Sequence, residues 1–270
     1  MALKFAKAHA YGNDFLYVKA EDVAGARLDA LAREMCDRHT GAAADGLIVY
    51  QPGIDEVGMR LLNADGSRAE VSGNGVRALA ALLLNQDAAA DASVAIRTEA
   101  GVKQVSRTGR DGSRQIFCTA MGPPRDVRKV LPLEVAGESI HPVVLDMGNP
   151  QCVILGPLPG EPVFRRVGAA LERHEMFPEG TNVEFADVET PDRIRILIWE
   201  RGVGPTASSG TGSCAALVAA ASFGGAAHAA DVVAPGGAQR VEWRPDGVYL
   251  TGWAEVLVEG EWLRQIPRTA

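Results

Sequence analysis

The sequence is poor in the residues that hold metal ions and disulfides. Its 270 residues include four cysteines and five histidines. The histidines are scattered, no H-E-x-x-H motif occurs, and the cysteines have no C-x-x-C spacing, so we expect neither a disulfide framework nor a metal site. Cys36, Cys118 and Cys152 fall in helix-like or strand-like apolar patterns, and we interpret these three as small buried hydrophobic residues.

Lysine and long apolar runs are also scarce. The chain has only five lysines, and none stands in an evident pyridoxal-binding context. No apolar run reaches transmembrane length, and the first residues lack the apolar core of a signal peptide, so we expect a cytoplasmic protein. A net charge of −7 argues against nucleic acid or an anionic membrane as a partner. The expected partner is a small-molecule amino acid, and a homodimer is left open.

The sequence does contain one short motif that occurs twice, which we call the repeated phrase. Ser72-Gly73-Asn74-Gly75 and Ser209-Gly210-Thr211-Gly212 lie 137 residues apart, and each precedes a small apolar run. Each copy predicts a glycine turn followed by a helix whose first N–H groups can bind an anion. Two such helix ends facing each other would hold a small carboxylate, with a serine from each half at equivalent points.

Simpler explanations exist for one copy of this phrase. A serine N-cap with turn glycines accounts for either copy alone, but less well for both together. Nucleotide-binding motifs fit poorly, because neither copy has the Lys-Ser/Thr ending of a P-loop or the third glycine of a dinucleotide fingerprint. A phosphate site is therefore not expected.

In the first half, the sequence before Ser72 predicts strands, turns and one helix. The amphipathic pattern runs from residue 28 to residue 39, and Gly41 is expected to terminate this helix. We expect strands and Asn- or Gly-rich turns at residues 3–5, 11–14, 15–18, 47–50, 58–62 and 63–67.

The second half repeats this order. A helix is expected at residues 164–175, with His174 on the same face as Val167 and Leu171. The strands and turns are expected at residues 143–147, 148–150, 180–182, 183–185 and 193–199. The sequence thus predicts a duplicated α+β unit with its halves closing on a cleft. We place the N-terminal domain at 1–112, joined by the segment 252–270, and the C-terminal domain at 113–251. The most linker-like stretch is 109–114.

Seven motifs, in this order, resemble those of diaminopimelate epimerases. The resemblance runs from about Phe5 to Trp262 and implies two pseudo-symmetric domains, each a mixed β-sheet curled around a central helix. The motifs are Gly12-Asn13-Asp14-Phe15, Asn63-Ala64-Asp65-Gly66-Ser67, Gly73-Asn74-Gly75, Gly148-Asn149-Pro150, Gly180-Thr181-Asn182-Val183-Glu184-Phe185, Glu200-Arg201-Gly202 and Gly210-Thr211-Gly212.

The resemblance implies a cofactor-independent epimerase that converts LL- to meso-diaminopimelate in lysine and peptidoglycan precursor synthesis. One residue removes the α-proton, and its opposite number delivers a proton to the other face of the carbon. The implied catalytic positions are Ser72 and Ser209. The implied substrate contacts are Asn13, Asn63, Gly73, Asn74, Asn149, Asn182, Glu200, Arg201, Gly210 and Thr211.

Four positions depart from the family pattern. The family has cysteines where this chain has Ser72 and Ser209, a histidine at Gln151, and a glutamine at Gly46. A thiol at a helix N-terminus forms a usable thiolate, whereas a serine hydroxyl stays protonated near neutral pH without a partner base. Cys214 lies five residues after Ser209, inside the predicted helix, and is not expected to replace the missing thiol.

Three interpretations remain open at this point. The chain is a diaminopimelate epimerase with serine at both catalytic positions. It is a racemase or proton-shifting isomerase of the same fold acting on another amino acid. Or it is a non-catalytic protein that binds an amino acid. Selection of the substrate side chain separates the first two, and exchange of the substrate α-hydrogen separates both from the third.

Overall fold

The computed structural model describes residues 2–69, 72–89, 91–99 and 101–268. The chain divides into two compact units. The first unit is Met1–Thr119 with Trp253–Ala270, and the second is Ala120–Gly252. The terminal residues of the predicted N-terminal domain, and the residues just before Ser72, lie outside the described part of the chain.

The first unit consists of one mixed sheet and two helices, with a 3-10 turn at Glu21–Val23. In chain order the elements that begin in it are β1 (Leu3–Ala10), β2 (Asn13–Lys19), α1 (Leu28–Cys36), β3 (Gly46–Gln51), β4 (Val57–Asn63), β5 (Arg68–Ala69), α2 (Gly73–Leu83), β6 (Ser93–Thr98), β7 (Gly101–Asp111) and β8 (Arg114–Gly122).

The second unit has the same kinds of element in the same order, preceded by one strand and a small hairpin. They are β9 (Arg125–Lys129), β10 (Leu133–Val135), β11 (Glu138–Ile140), β12 (Pro142–Asp146), β13 (Pro150–Leu155), α3 (Glu161–Glu172), β14 (Asn182–Thr190), β15 (Arg193–Glu200), β16 (Gly204–Thr206), α4 (Gly210–Phe223), β17 (Ala229–Ala234), β18 (Gly237–Arg244) and β19 (Gly247–Trp262).

Strand pairing shows the duplication directly. In the first unit, the pairs β1–β2, β2–β3, β3–β4, β4–β6 and β6–β7 are antiparallel, parallel, antiparallel, parallel and antiparallel. In the second unit, β12–β13, β13–β14, β14–β15, β15–β17 and β17–β18 have the same senses. The predicted pair of similar α+β units is therefore confirmed.

Side-chain alternation along the strands separates two layers in the first unit. Successive residues of a strand point to opposite faces. On β3, Ile48 packs in the cluster that contains Leu79 of α2, whereas Leu47 and Val49 pack with Leu31 of α1. Because α2 contacts β1, β2, β6 and β7, the sheet curls around it. The helix is the centre of this unit.

The second unit has the same arrangement around α4. This helix contacts β12, β13, β14, β15, β17 and β18, and its residues from Cys214 to Ala220 are completely buried. A helix that is apolar on every side is suited to such a central position. On the other face of the sheet, α3 packs through Phe164, Val167 and Leu171 against Val183 and Phe185 of β14.

Three predicted boundaries, in two helices, are wrong for local reasons. The first helix ends at Cys36 and excludes His39, because Asp37 Oδ1 accepts hydrogen bonds from the N–H groups of His39 (2.9 Å) and Thr40 (2.6 Å) and forms a turn. The second begins at Glu161, since a proline fits the first turn of a helix, and it ends before His174.

The predicted linker at 109–114 is also wrong. These residues form the end of the β7–β8 hairpin, in which Asp111 pairs with Arg114 and Gly112 has a positive φ of 59°. Glycine and aspartate are as typical of a tight hairpin turn as of a linker. Among the described residues, no helix has the length and apolarity to span a membrane.

Candidate active site

Each repeated phrase caps a buried helix with a serine. Ser72 Oγ accepts a hydrogen bond from Gly75 N at 3.1 Å, and Ser209 Oγ accepts one from Gly212 N at the same distance. Both serines have the extended backbone of an N-cap residue, and both are partly exposed. The two predicted helix starts are confirmed.

The first turn of each helix is suited to binding an anion. The N–H groups of Gly73, Gly210 and Thr211 precede the capped N–H and point outward along the helix axis. The helices α2 and α4 are buried over most of their length, so water screens their dipoles weakly. A substrate carboxylate needs this kind of donor group.

In the first unit, two predicted asparagines lie at strand ends. Asn13 is the first residue of β2 and Asn63 the last residue of β4. The register pairs Gly46 with Phe15 on one side and with Asn63 on the other, which brings these strand ends together. The Phe15 ring in turn lies near Gly75 of α2, so the strand ends adjoin the capped helix.

Local hydrogen bonds fix the orientation of these asparagine side chains. Asn13 Nδ2 donates to Asp45 Oδ2 at 2.8 Å, and Asn63 Nδ2 donates to Ser67 Oγ at 3.0 Å. The side chain of Asn74 is buried and lies 3.5 Å from Arg77. Asn74 is therefore buried within the first turn of α2.

In the second unit, two sets of hydrogen bonds hold four predicted contact residues. Asn149 Nδ2 donates to Thr211 Oγ1 at 3.5 Å. Asn182 Nδ2 donates to Pro150 O at 3.2 Å, and Asn182 Oδ1 accepts from Arg201 N at 3.0 Å. The strand ends of this unit are thus tied together by side-chain amides.

Glu200 and Arg201 lie at the end of β15. The side chain of Arg201 donates through Nη1 to Glu179 O at 3.2 Å. The turn that follows is held by Glu172, whose Oε1 accepts from Gly202 N at 2.9 Å. Buried carboxylates with such donors are well satisfied, so Glu172 fixes the position at which β15 presents Glu200.

The structure adds Glu184, which the sequence did not single out. Glu184 is the third residue of β14, with 0% exposure, on the face that packs against α4. Burial, and secondarily the nearby Glu200 carboxylate, raise the pKa of Glu184 well above its usual range. The only sequence signal is a charged residue inside an otherwise apolar strand segment, Val183–Ala186, which does not reveal the direction of the side chain.

The two units differ at the point that Glu184 occupies. A Cβ placed on Gly212 would lie 2.5 Å from Glu184 Oε1 and 3.1 Å from Ser209 Oγ. A Cβ placed on the equivalent Gly75 would lie 2.9 Å from Ile48 Cδ1. The strand registers make Ile48 and Glu184 counterparts, because each lies two residues after the equivalent strand pair, Phe15–Gly46 and Gln151–Asn182. The first turn of α2 therefore packs on an apolar side chain, whereas the first turn of α4 packs on a carboxyl group.

The cysteines take no visible part in these sites. Cys36 and Cys152 are buried as predicted, whereas Cys118 is only partly buried. Burial raises the pKa of Cys36 to about 12 and raises that of Cys152 further. Cys214 lies in the core around α4. Within residues 2–69, 72–89, 91–99 and 101–268, no group of His, Cys, Asp and Glu side chains could hold a metal ion.

Comparison with known proteins identifies the family. The sequence model of the family described as Diaminopimelate epimerase matches residues 5–127 and 143–257. This chain belongs to the diaminopimelate epimerase family. The match covers both capped helices and every candidate site residue named above, so the departures at Ser72, Ser209 and Gln151 lie within a matched framework.

Individual relatives cover the whole length. The chain is 37% identical to the diaminopimelate epimerase of Desulforudis audaxviator, over 97% of this chain and 100% of that protein. It is also 37% identical to that of Pelotomaculum thermopropionicum, with 96% and 99% covered. A probable proline racemase from Agrobacterium radiobacter has the same fold, with a TM-score of 0.74, 16% identity and coverage of 97% and 93%.

Glu184 predicts how stability depends on pH. Its folded pKa is raised, so the folded chain keeps a proton that the unfolded chain releases. The corresponding stability is present below the unfolded carboxyl pKa and is lost as the pH rises through the folded pKa. In Glu184→Gln, the melting temperature should therefore decline less between pH 5 and pH 9 than in the natural chain. The exposed Glu161→Gln serves as control; a parallel decline in Glu184→Gln and the natural chain contradicts the expectation.

Proposed function

We propose that this chain interconverts LL- and meso-diaminopimelate by transferring protons at one α-carbon, without a cofactor. The full-length relationship to diaminopimelate epimerases carries the proposal. The serine-capped helices support it, because inversion needs one group that removes a proton and another that delivers one. The chain has one such serine in each unit. The proposal keeps the cytoplasmic location expected from the sequence, and that Ser72 and Ser209 act on the same carbon stays a prediction.

The helix N-termini supply electrostatic stabilisation. Removal of the α-proton leaves negative charge that spreads into the substrate carboxylate. The N–H groups of Gly73, Gly210 and Thr211 are donors for that charge, and the helix dipoles favour it. Amides such as those of Asn149 and Asn182 suit a substrate that carries both an ammonium and a carboxylate, since an amide donates and accepts.

Serine makes the proposed reaction slow. A serine hydroxyl is a weak acid, and almost none is ionised near neutral pH without a partner base. A cysteine in the same place, at a helix N-terminus, has a pKa of about 3.5–7.5 and ionises readily. We therefore expect turnover well below that of a cysteine enzyme with the same framework.

Proton NMR in deuterated buffer tests the proposal. LL-diaminopimelate incubated with the protein should lose its α-proton signal slowly and yield meso-diaminopimelate with deuterium at one α-carbon. A metal chelator should leave the rate unchanged, and Ser72→Ala with Ser209→Ala should abolish exchange. Proline and 4-hydroxyproline are the comparison substrates. Exchange of either of these, with none for diaminopimelate, overturns the substrate assignment; no exchange of any amino acid favours a binding protein.

A further inference from the structure

The two serine caps have unlike neighbours, and this difference bears on the reaction. Ile48 and Phe15 lie nearest to Gly75 beneath Ser72, so that cap adjoins hydrocarbon. Glu184 lies nearest to Gly212 beneath Ser209, so that cap adjoins a carboxyl group. A general base within reach is what a serine hydroxyl needs in order to exchange a proton.

The geometry at Gly212 brings the two groups within reach of each other. The missing Cβ position lies 2.5 Å from Glu184 Oε1 and 3.1 Å from Ser209 Oγ, so the separation of the two oxygens cannot exceed the sum of these distances. At most one water molecule, making an ordinary hydrogen bond to each oxygen, is therefore needed to bridge Ser209 and Glu184. Any side chain at residue 212 would fill the space between them, whereas glycine leaves it open.

Gln151 can follow the protonation state of Glu184. One terminal atom of its amide lies 3.0 Å from Glu184 Oε1 and 3.2 Å from Oε2, and the other lies 2.6 Å from Asn149 Oδ1 and 3.3 Å from Thr211 Oγ1. With the amide oxygen towards Glu184, the hydrogen bond requires a protonated carboxyl, and the amide nitrogen donates to Asn149. With the nitrogen towards Glu184, the ionised carboxylate accepts instead.

We propose that Glu184 is the auxiliary base of Ser209 and exchanges the serine proton during epimerisation, with Gln151 positioning it. The inference rests on the proposed function. As the substrate Cα–H bond breaks, Ser209 Oγ takes that proton and passes its own hydroxyl proton to the Glu184 carboxylate, directly or through one water. The electron pair stays on the substrate and spreads into its carboxylate. The reverse transfer returns a proton from Glu184 through Ser209 to the carbon.

The surroundings of Glu184 favour both directions of this transfer. Burial, and secondarily the Glu200 carboxylate at the end of β15, raise its pKa well above its usual range, which makes it a stronger base than an exposed glutamate, and its protonated form can return the proton. The Gln151 amide on β13 and the Ser209 hydroxyl at the start of α4 also lie on the Glu184 side of the sheet, and the Thr211 hydroxyl adjoins Gln151. The Cys152 thiol packs on the opposite face with Val183. The position equivalent to Glu184 in the first unit holds Ile48, so the two half-reactions should be unequal.

Covalent labelling tests the relay without any substrate. Phenylmethanesulfonyl fluoride forms an O–S bond with an activated serine, fluoride leaves, and the base takes the proton. In the whole protein, mass spectrometry should find Ser209 labelled faster than Ser72, at a rate that rises with pH. Glu184→Gln should slow the labelling of Ser209 about 10²-fold and remove its pH dependence. The exposed Glu161→Gln should label like the natural chain, and Glu184→Asp should retain part of the rate.

The result that overturns the relay is also specific. The relay is wrong if Ser209 is not labelled at all. It is also wrong if the natural chain and a folded Glu184→Gln are labelled at Ser209 with the same rate and the same pH profile. If Glu184→Gln fails to fold, the pH profile of Ser209 labelling in Glu184→Asp decides, because a shifted profile supports the relay and an unchanged one overturns it. These readouts need no diaminopimelate, so a failure of the relay and a failure of the proposed substrate remain distinguishable.

Discussion

Replacing both Ser72 and Ser209 by cysteine is expected to raise the rate of diaminopimelate epimerisation by about 10² to 10⁴-fold. Both positions cap helices whose N-termini stabilise an anion. A thiol placed there ionises near neutral pH, whereas the hydroxyl does not. The measurement is the rate of meso-isomer formation from LL-diaminopimelate, followed by proton NMR or by a coupled assay.

The single replacements should fall far short of the double one. One thiol can remove the α-proton, but the opposite group still exchanges its proton poorly, so the effects of residues that act as a unit are not additive. Each single variant should exchange the α-hydrogen of one stereoisomer with little inversion. With a thiolate at residue 209, Glu184→Gln should matter less than it does beside the natural Ser209, since the thiolate needs no auxiliary base.

Two outcomes would contradict this expectation. If the double cysteine variant folds normally and turns over no diaminopimelate, the substrate assignment is wrong. If the natural chain already turns over diaminopimelate as fast as the double variant, the argument from the weak acidity of serine is wrong. In that case a base close to a serine must supply the missing reactivity.

Gly212→Ala is expected to destabilise the chain by about 1–3 kcal/mol and to abolish proton exchange at Ser209. The new methyl group would lie 2.5 Å from Glu184 Oε1, which is closer than a real contact permits. Alanine is favoured over glycine within a helix by about 0.5–1 kcal/mol, but Glu184 is completely buried and cannot turn away without moving its neighbours. Overpacking should therefore outweigh helix propensity.

Gly75→Ala is the matched control. Its methyl group would meet the end of the Ile48 side chain at 2.9 Å, which can give way more easily than a carboxyl held by Gln151. Urea unfolding of both variants measures the difference. Adding Glu184→Ala should relieve part of the cost of Gly212→Ala, because the two changes share one space. A Gly212→Ala protein as stable as the natural chain contradicts the predicted crowding.

The order of elements could be predicted where local chemistry decides it. Ser72 and Ser209 are good N-cap residues, each followed by glycines and apolar residues, and both helices begin at the next residue. The turn after Asn63 follows in the same way, because Asp65 Oδ1 accepts a hydrogen bond from Ser67 N at 2.8 Å. The predicted end of the first helix was wrong because Asp37, which is not part of the apolar pattern, accepts backbone hydrogen bonds that end α1.

Pairing between strands decided the rest. The stretch 109–114 contains the same glycine and aspartate that a linker would, and only the pairing of β7 with β8 makes it a hairpin. Strand pairing is a contact between distant residues, so it leaves no mark on local composition.

From the sequence alone follow the two capped helices, the duplicated units and the family, because caps, glycine turns and motif order are local or linear properties. The tertiary structure alone decided that Glu184 lies under Ser209 while Ile48 lies under Ser72. Which face a strand residue occupies depends on its register with the neighbouring strand, and the charge in Val183–Ala186 is compatible with either face. Burial against α4 then turned an ordinary carboxyl into one with a raised pKa.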